Sequence, residues 1–418
     1  MDKLMITGGV PLVGEIAISG AKNAALPLMA TALMAEDGMV LDNLPSLADT
    51  DCMCELLNHL GIETQRQGDT VNFAPAEGAI TDAPYEIVRK MRASVLVLGP
   101  LLARYGRARV SLPGGCAIGT RPVDLHIMAM EALGATVTLE DGYVLAEAPN
   151  GLVGGEVVFS TVSVGATENI LMAAALANGT SRIINVAREP EIVDLANCLN
   201  AMGAKITGQG TDVITVEGVA RLTSCRHSVI ADRIEAGTFA LAAAITRGEV
   251  TLTNARPDHL ASLFAAMAAG GVKIEIDGDK IMVAASDRLR PVDITTDPYP
   301  GFPTDLQAQF MALMAVASGT SQVSETIFEN RFMHVPELAR MGANIQVQGG
   351  NAIVRGVDGL TAAPVMATDL RASVSLVLAG LVAAGDTVVQ RIYHLDRGYD
   401  RLEEKLSACG ANIRRIGG

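Results

Sequence analysis

The chain has 418 residues, of which 49% are apolar and 19% charged, and its formal net charge at neutral pH is −14. That length and apolar content support a sizeable folded core and exclude disordered and fibrous proteins. The acidic balance, the absence of tryptophan and an aromatic content of 3% exclude a basic duplex-binding face and argue against stacking on single-stranded nucleic acid, so no nucleic-acid partner is expected.

The N-terminus, MDKLMITGGVPLVGEIAIS, alternates apolar and polar residues as strands do and has no apolar run of signal-peptide type. A first helical segment, SGAKNAALPLMATALMA, carries Lys22 and Asn23 near its start. Cys52 and Cys54 are the one close pair among six cysteines; with no second pair or histidine cluster beside them they read as helix residues, not metal ligands. A second segment, KMRASVLVLGPLLARYG, opens on Arg92. A loop, VSLPGGCAIGTRPVDLH, follows from Val110 to His126. Further apolar helices begin at VSVGATENILMAAALANG, DRIEAGTFALAAAITRG, FPTDLQAQFMALMAVASG and TDLRASVSLVLAGLVAAG. The longest apolar run, Val374 to Gly385, is too short and too rich in Gly and Ala to span a bilayer. A cytoplasmic protein without membrane insertion is expected.

These segments repeat. A glycine closing the second helix of each unit falls at Gly61, Gly134, Gly203, Gly271, Gly342 and Gly410, with near-identical text in LGATV, MGAKI, MGANI and CGANI. Glycine there suits a helix end in the left-handed conformation. The spacing gives six units of about 70 residues. Each carries a helix apolar on every side, which is a buried helix. The expected fold is therefore α/β: a two-domain inside-out α/β barrel with buried helices and outer sheets. The sixth unit stops at NIRRIGG, before its last strand, and the N-terminal segment resembles that missing piece. Closure on it gives one domain of residues 21–229 and a second of 1–20 plus 230–418, three units each. An open solenoid is the alternative.

Polar residues gather at the helix starts, where unpaired N–H groups and the helix dipole favour anions. They are Lys22, Asn23, Arg92, Ser163, Asp232, Arg233, Glu235, Asp305, Asp369 and Arg371. Each taken singly reads either as a ligand group or as a cap or ion pair. On the Val110–His126 loop, Cys116 stands between Gly115 and Ala117 with Arg121 five residues on, the setting of a reactive thiol. Arg121 can favour the thiolate and bind phosphate or carboxylate. His126 is either a base or a packed helix residue. Asp305, after the PYPGFPTD bend, is either a general base or an N-cap.

With those residues assembled, the chain resembles the UDP-N-acetylglucosamine 1-carboxyvinyltransferases, a family of enolpyruvyl transferases, from Ile18 to Gly410. The matching words are SGAKNAALP, MRAS, SLPGGCAIGTRPVDLH, VSVGAT, AREPEIVD, FPTDLQAQF, ENRFMHVPEL, ATDLRAS and DRGYDR. The resemblance implies transfer of the enolpyruvyl group of phosphoenolpyruvate to the 3-hydroxyl of UDP-N-acetylglucosamine by addition and elimination, with no metal or organic cofactor. It implies that Cys116 protonates C3 of the enol and is the residue fosfomycin alkylates, that Asp305 is the base, and that Lys22, Arg121 and Arg397 hold phosphoenolpyruvate. Arg331, Asp369 and Arg371 match further polar cleft residues. The nucleotide sugar falls to Asn23, Arg92, the stretch Arg121, Pro122, Val123, Asp124 and Leu125, the stretch Thr161, Val162, Ser163 and Val164, and Ile327. Thr161 stands where many members carry Lys, which weakens that assignment. Rival readings are 5-enolpyruvylshikimate-3-phosphate synthase, which has no loop cysteine, and a non-catalytic nucleotide-sugar sensor.

Overall fold

The structure is a computed structural model that describes residues 2–76, 78, 80–112 and 123–417. The chain divides into two compact units, one of residues 20–112 with 123–230 and one of 2–19 with 231–417. Among the described residues, six four-stranded sheets repeat one strand order. In the sheet built around Thr320–Ser324, the short strand Ile294–Thr295 runs parallel to it, while the hairpin strand Asn351–Arg355 runs antiparallel and pairs in turn with Asn344–Gln348. The units thus read strand, helix, strand, helix, hairpin.

The six repeat glycines all adopt positive φ, from 89° at Gly134 to 105° at Gly271. A side chain at φ near +90° is strained, so the chain turns from helix to strand there on glycine. The helices that precede the second strands are buried nearly all round. In Gln307–Met314 every residue is buried, in Arg233–Ile245 every residue from Ile234 onward, and in Val374–Val382 every residue through Leu381. Those three helices contact one another inside their unit. Strands such as Lys3–Thr7 and Glu249–Thr253 alternate buried and less buried residues, so each sheet turns one face inward and one outward.

The N-terminal strands serve two sheets. Lys3–Thr7 lies between Asp386–Gln390 and Asn412–Ile416, whereas Val13–Ala17 runs parallel to Glu249–Thr253 in a different sheet. In the other unit Arg226–Ser228 runs back to pair with Met39–Asp42, joining its end to its beginning. The segments expected as continuous helices differ at their starts. Arg92–Val97 and Thr304–Leu306 are 3-10 turns ahead of Leu98–Tyr105 and Gln307–Met314. Pro100 occupies the first turn of Leu98–Tyr105, where its missing N–H costs nothing, and that position defines where the α-helix can begin. Among the described residues no helix is long and apolar enough to cross a membrane.

Candidate active site

In the unit of residues 20–230, Lys22 begins helix Lys22–Ala30 and is only 7% exposed. Its Nζ lies 3.2 Å from Oδ2 of Asp49, also buried, in the first turn of helix Ala48–His59. A buried ammonium needs such a partner, and the pair holds the lysine at the helix start. Asn23 beside it is partly buried.

Arg92 opens its 3-10 turn partly buried, and its charge acts on His126. His126, in helix Asp124–Ala132, is buried against Asn169 of helix Val164–Ala175. The Asn169 amide is oriented by its neighbours: Oδ1 accepts the Gly99 N–H at 2.6 Å, and Nδ2 donates to the Val95 carbonyl at 2.9 Å and to His126 Nδ1 at 2.9 Å. The neutral ring therefore carries its proton on Nε2. Burial first, and Arg92 second, push His126 down to about 4, against the opposing charge of Asp124.

That shift has a consequence for stability. The unfolded ring takes its proton near 6.5, the folded ring only near 4, so the unfolded state binds more protons between these values. The contribution is complete above the unfolded value and is lost as pH falls towards 4, about 3 kcal/mol in all. Urea unfolding at neutral pH and at pH near 5 should show a smaller acid loss in His126→Gln than in the wild type. Glu168 and Glu235, whose carboxyls burial pushes up, act in the opposite sense, so the difference between variant and wild type is the readout. An equal acid loss in both would refute the assignment.

Ser163 caps helix Val164–Ala175, accepting the Ala166 N–H at 3.3 Å. Thr161 and Val162 before it are exposed, and Val164 is partly buried. Val123 and Leu125 are partly buried and Asp124 exposed. Cys116, Arg121 and Pro122 lie outside the described residues.

In the unit completed by residues 231–417, Asp305 lies in the turn Thr304–Leu306. Its Oδ1 accepts from Nη2 of Arg331 at 2.6 Å, and Arg371 Nε stands 3.7 Å from Oδ2. The two guanidiniums are 3% and 2% exposed. Arg371 is itself fixed, donating to the Gly398 carbonyl at 2.8 Å and to Asp232 Oδ2 at 3.3 Å, with its plane 5.3 Å from the Tyr399 ring. Asp232 in turn caps helix Arg233–Ile245 through the Ile234 and Glu235 N–H groups. Asp369 Oδ1 accepts the N–H groups of Arg371 and Ala372 at 2.8 and 2.7 Å. Asp305, Arg331, Arg371 and Asp369 are thus one bonded cluster. Burial first, and then the charges of Arg397 and Arg391, draw the His394 ring below its ordinary range, against the opposing charge of Asp369. Arg397 itself ends the turn Ile392–Arg397.

Glu325 is a member that the sequence did not flag. It is buried; Oε2 accepts the Thr304 hydroxyl at 2.9 Å and Oε1 the Ile327 and Phe328 N–H groups at 2.8 and 3.1 Å. It ties the Asp305 turn to the Ile327 loop. Glu325→Ala should lower kcat/KM by roughly tenfold to a hundredfold, since displacements near 1 Å carry such costs. Glu325→Gln, which keeps an acceptor for both N–H groups, should recover most of it in steady-state kinetics. Full activity in Glu325→Ala would remove it from the site.

Among the described residues no group of three or more His, Cys, Asp or Glu could hold a metal ion. In the unit of residues 20–230 cations stand at the starts of a helix and a turn, which suits an anion; in the other, a carboxylate held between two arginines can take up a proton.

The profile of the EPSP synthase (3-phosphoshikimate 1-carboxyvinyltransferase) family matches residues 6–406. A protein of Granulibacter bethesdensis named UDP-N-acetylglucosamine 1-carboxyvinyltransferase is 59% identical over the whole of both chains. One of the same name from Bdellovibrio bacteriovorus is 58% identical, over 99% of this chain and all of its own. Among solved structures, the enolpyruvyl transferase NikO from Streptomyces tendae superposes with a TM-score of 0.90 at 26% identity, over 100% of this chain and 99% of its own. EPSP synthase from Acinetobacter baumannii, at 17% identity and a TM-score of 0.76 over all of both chains, shares the fold.

Proposed function

Because the chain belongs to the UDP-N-acetylglucosamine 1-carboxyvinyltransferases of the EPSP synthase family, we propose that it transfers the enolpyruvyl group of phosphoenolpyruvate to the 3-hydroxyl of UDP-N-acetylglucosamine. Phosphate is released, and the product enters peptidoglycan synthesis. The observation that carries this reading is identity of 57–59% over essentially full length to several proteins of that one name.

The chemistry assigns the roles. The sugar hydroxyl adds to C2 of the enol only as C3 gains a proton, giving a tetrahedral ketal. Loss of a C3 proton and of phosphate then restores the double bond. Cys116 gives the C3 proton and Asp305 takes the hydroxyl proton; the Arg331 and Arg371 contacts of Asp305 support this, because a base must be held in place. Lys22, Arg121 and Arg397 hold the phosphate and carboxylate of the donor. Asn23, Arg92, residues 121–125 and 161–164, and Ile327 hold the nucleotide sugar, with Asp369 behind Arg371. The buried helices and half-exposed strands support an inside-out barrel with helices within. The compact units support domains of 21–229 and of 1–20 plus 230–418, in a cytoplasmic enzyme. Incubation with both substrates should convert the nucleotide sugar to a species heavier by one enolpyruvyl group in mass spectrometry. Phosphate release without that species would overturn the assignment of the acceptor.

A further inference from the structure

Among residues not assigned to the substrates, two thiols lie side by side. Cys198, in helix Pro190–Ala201, is fully buried; Cys225, just ahead of strand Arg226–Ser228, is partly exposed. Their Sγ atoms are 3.8 Å apart. Cys225 also lines a groove of about 520 Å³ with Met39, Gln65 and Phe73, which gives small reagents access to it. Two residues on, His227 Nε2 lies 2.9 Å from Oδ1 of Asp194, one turn before Cys198 on the same helix.

The surroundings divide the pair unequally. Burial disfavours a charged His227, but the Asp194 hydrogen bond and charge outweigh it and hold the imidazole above its ordinary value. The contact with Cys198, and then the charge of His227, draw the Cys225 thiol below its ordinary value against the effect of burial. The contact with Cys225 and its own burial push the Cys198 thiol up, against the Thr31 hydroxyl. Arg226 is taken up by Asp42 at 2.6 Å, and Asp37 and Glu63 line the groove beyond. Cys225, the accessible thiol beside His227, is thus the nucleophile and the buried Cys198 its neighbour.

We propose that Cys198 and Cys225 form a redox-active dithiol, which a peroxide converts into an intramolecular disulfide. The Cys225 thiolate attacks one peroxide oxygen: an S–O bond forms, the O–O bond breaks, and the leaving hydroxide takes a proton to become water. Cys198 sulfur then attacks the sulfenic sulfur, forming S–S and breaking S–O, and its proton leaves with the second water. Two thiols and one peroxide give one disulfide and two waters. Closing from 3.8 Å to the about 2.0 Å of a disulfide requires rotation of the side chains and a small shift of Cys225, which stands outside regular structure. A disulfide formed this way in a reducing compartment is transient and signalling, not structural.

The test treats reduced full-length protein with hydrogen peroxide over a pH series, alkylates the remaining thiols and maps peptides by mass. A Cys198–Cys225 cross-linked peptide is expected, reversed by dithiothreitol, with a formation rate that rises with pH as the Cys225 thiol ionises. Cys198→Ser should instead leave a Cys225 sulfenic acid trapped by dimedone. Cys225→Ser should abolish the cross-link and leave the untreated rate of phosphate release unchanged. The proposal is overturned if the wild-type map lacks the cross-link, or if Cys225 is modified no faster than Cys52 or Cys54; that map decides alone should either serine variant fail to fold.

Discussion

Asp305→Asn is expected to lower kcat by on the order of 10²–10⁴-fold, the range associated with loss of a positioned general base. The substitution keeps shape and an oxygen for Arg331, which now bonds Oδ1 at 2.6 Å, but the amide cannot take up the sugar hydroxyl proton. The buried guanidiniums of Arg331 and Arg371 stay in place, the latter through Gly398 and Asp232. KM for both substrates should therefore change much less than kcat, and near-ultraviolet circular dichroism should be unaltered. Steady-state phosphate release measures this directly. A kcat within a few fold of wild type would reduce Asp305 to a cap and leave the hydroxyl without its base.

Replacing the loop thiol has a comparable effect with a different signature. Cys116→Ser should cost about 10²–10⁴-fold in kcat, because a hydroxyl is far too weak an acid to protonate C3. Cys116→Asp should retain turnover, since a carboxyl can carry the proton, and its rate should rise as pH falls towards the ordinary carboxyl range near 3.9. Fosfomycin, which loses its epoxide C–O bond to an attacking thiolate, should inactivate the wild type irreversibly and spare both variants. Inactivation of Cys116→Asp by the same agent would place the reactive thiol elsewhere.

Much of this was legible in the sequence, and the parts that were not share a cause. Six glycines marked six helix ends, and all six have the left-handed backbone that a Gly-specific turn requires. Wholly apolar segments marked the buried helices. Lys22, Arg92 and Arg371 stood out because cations at the starts of apolar helices need a reason, and Arg331 through the family match of ENRFMHVPEL. Their partners did not stand out: Asp49 is 27 residues from Lys22 and reads as an ordinary acidic helix start, and Glu325 reads as a polar strand end. Pairings between distant residues leave no local pattern. The Cys198 and Cys225 contact is of the same kind, and both cysteines read as ordinary core residues until the helix and the strand are placed together. The split of the N-terminal strands between two sheets was equally hidden, since their partners lie hundreds of residues away.

The family profile bears the name of a 3-phosphoshikimate 1-carboxyvinyltransferase and the relatives at 58–59% identity that of a UDP-N-acetylglucosamine 1-carboxyvinyltransferase, so acceptor choice tests the account most directly. Phosphate release from phosphoenolpyruvate should be measured side by side with UDP-N-acetylglucosamine and with 3-phosphoshikimate. Release that depends on the nucleotide sugar, with none above background for 3-phosphoshikimate, is the predicted result. Turnover with 3-phosphoshikimate, or none with either acceptor while UDP-N-acetylglucosamine still binds, would contradict it.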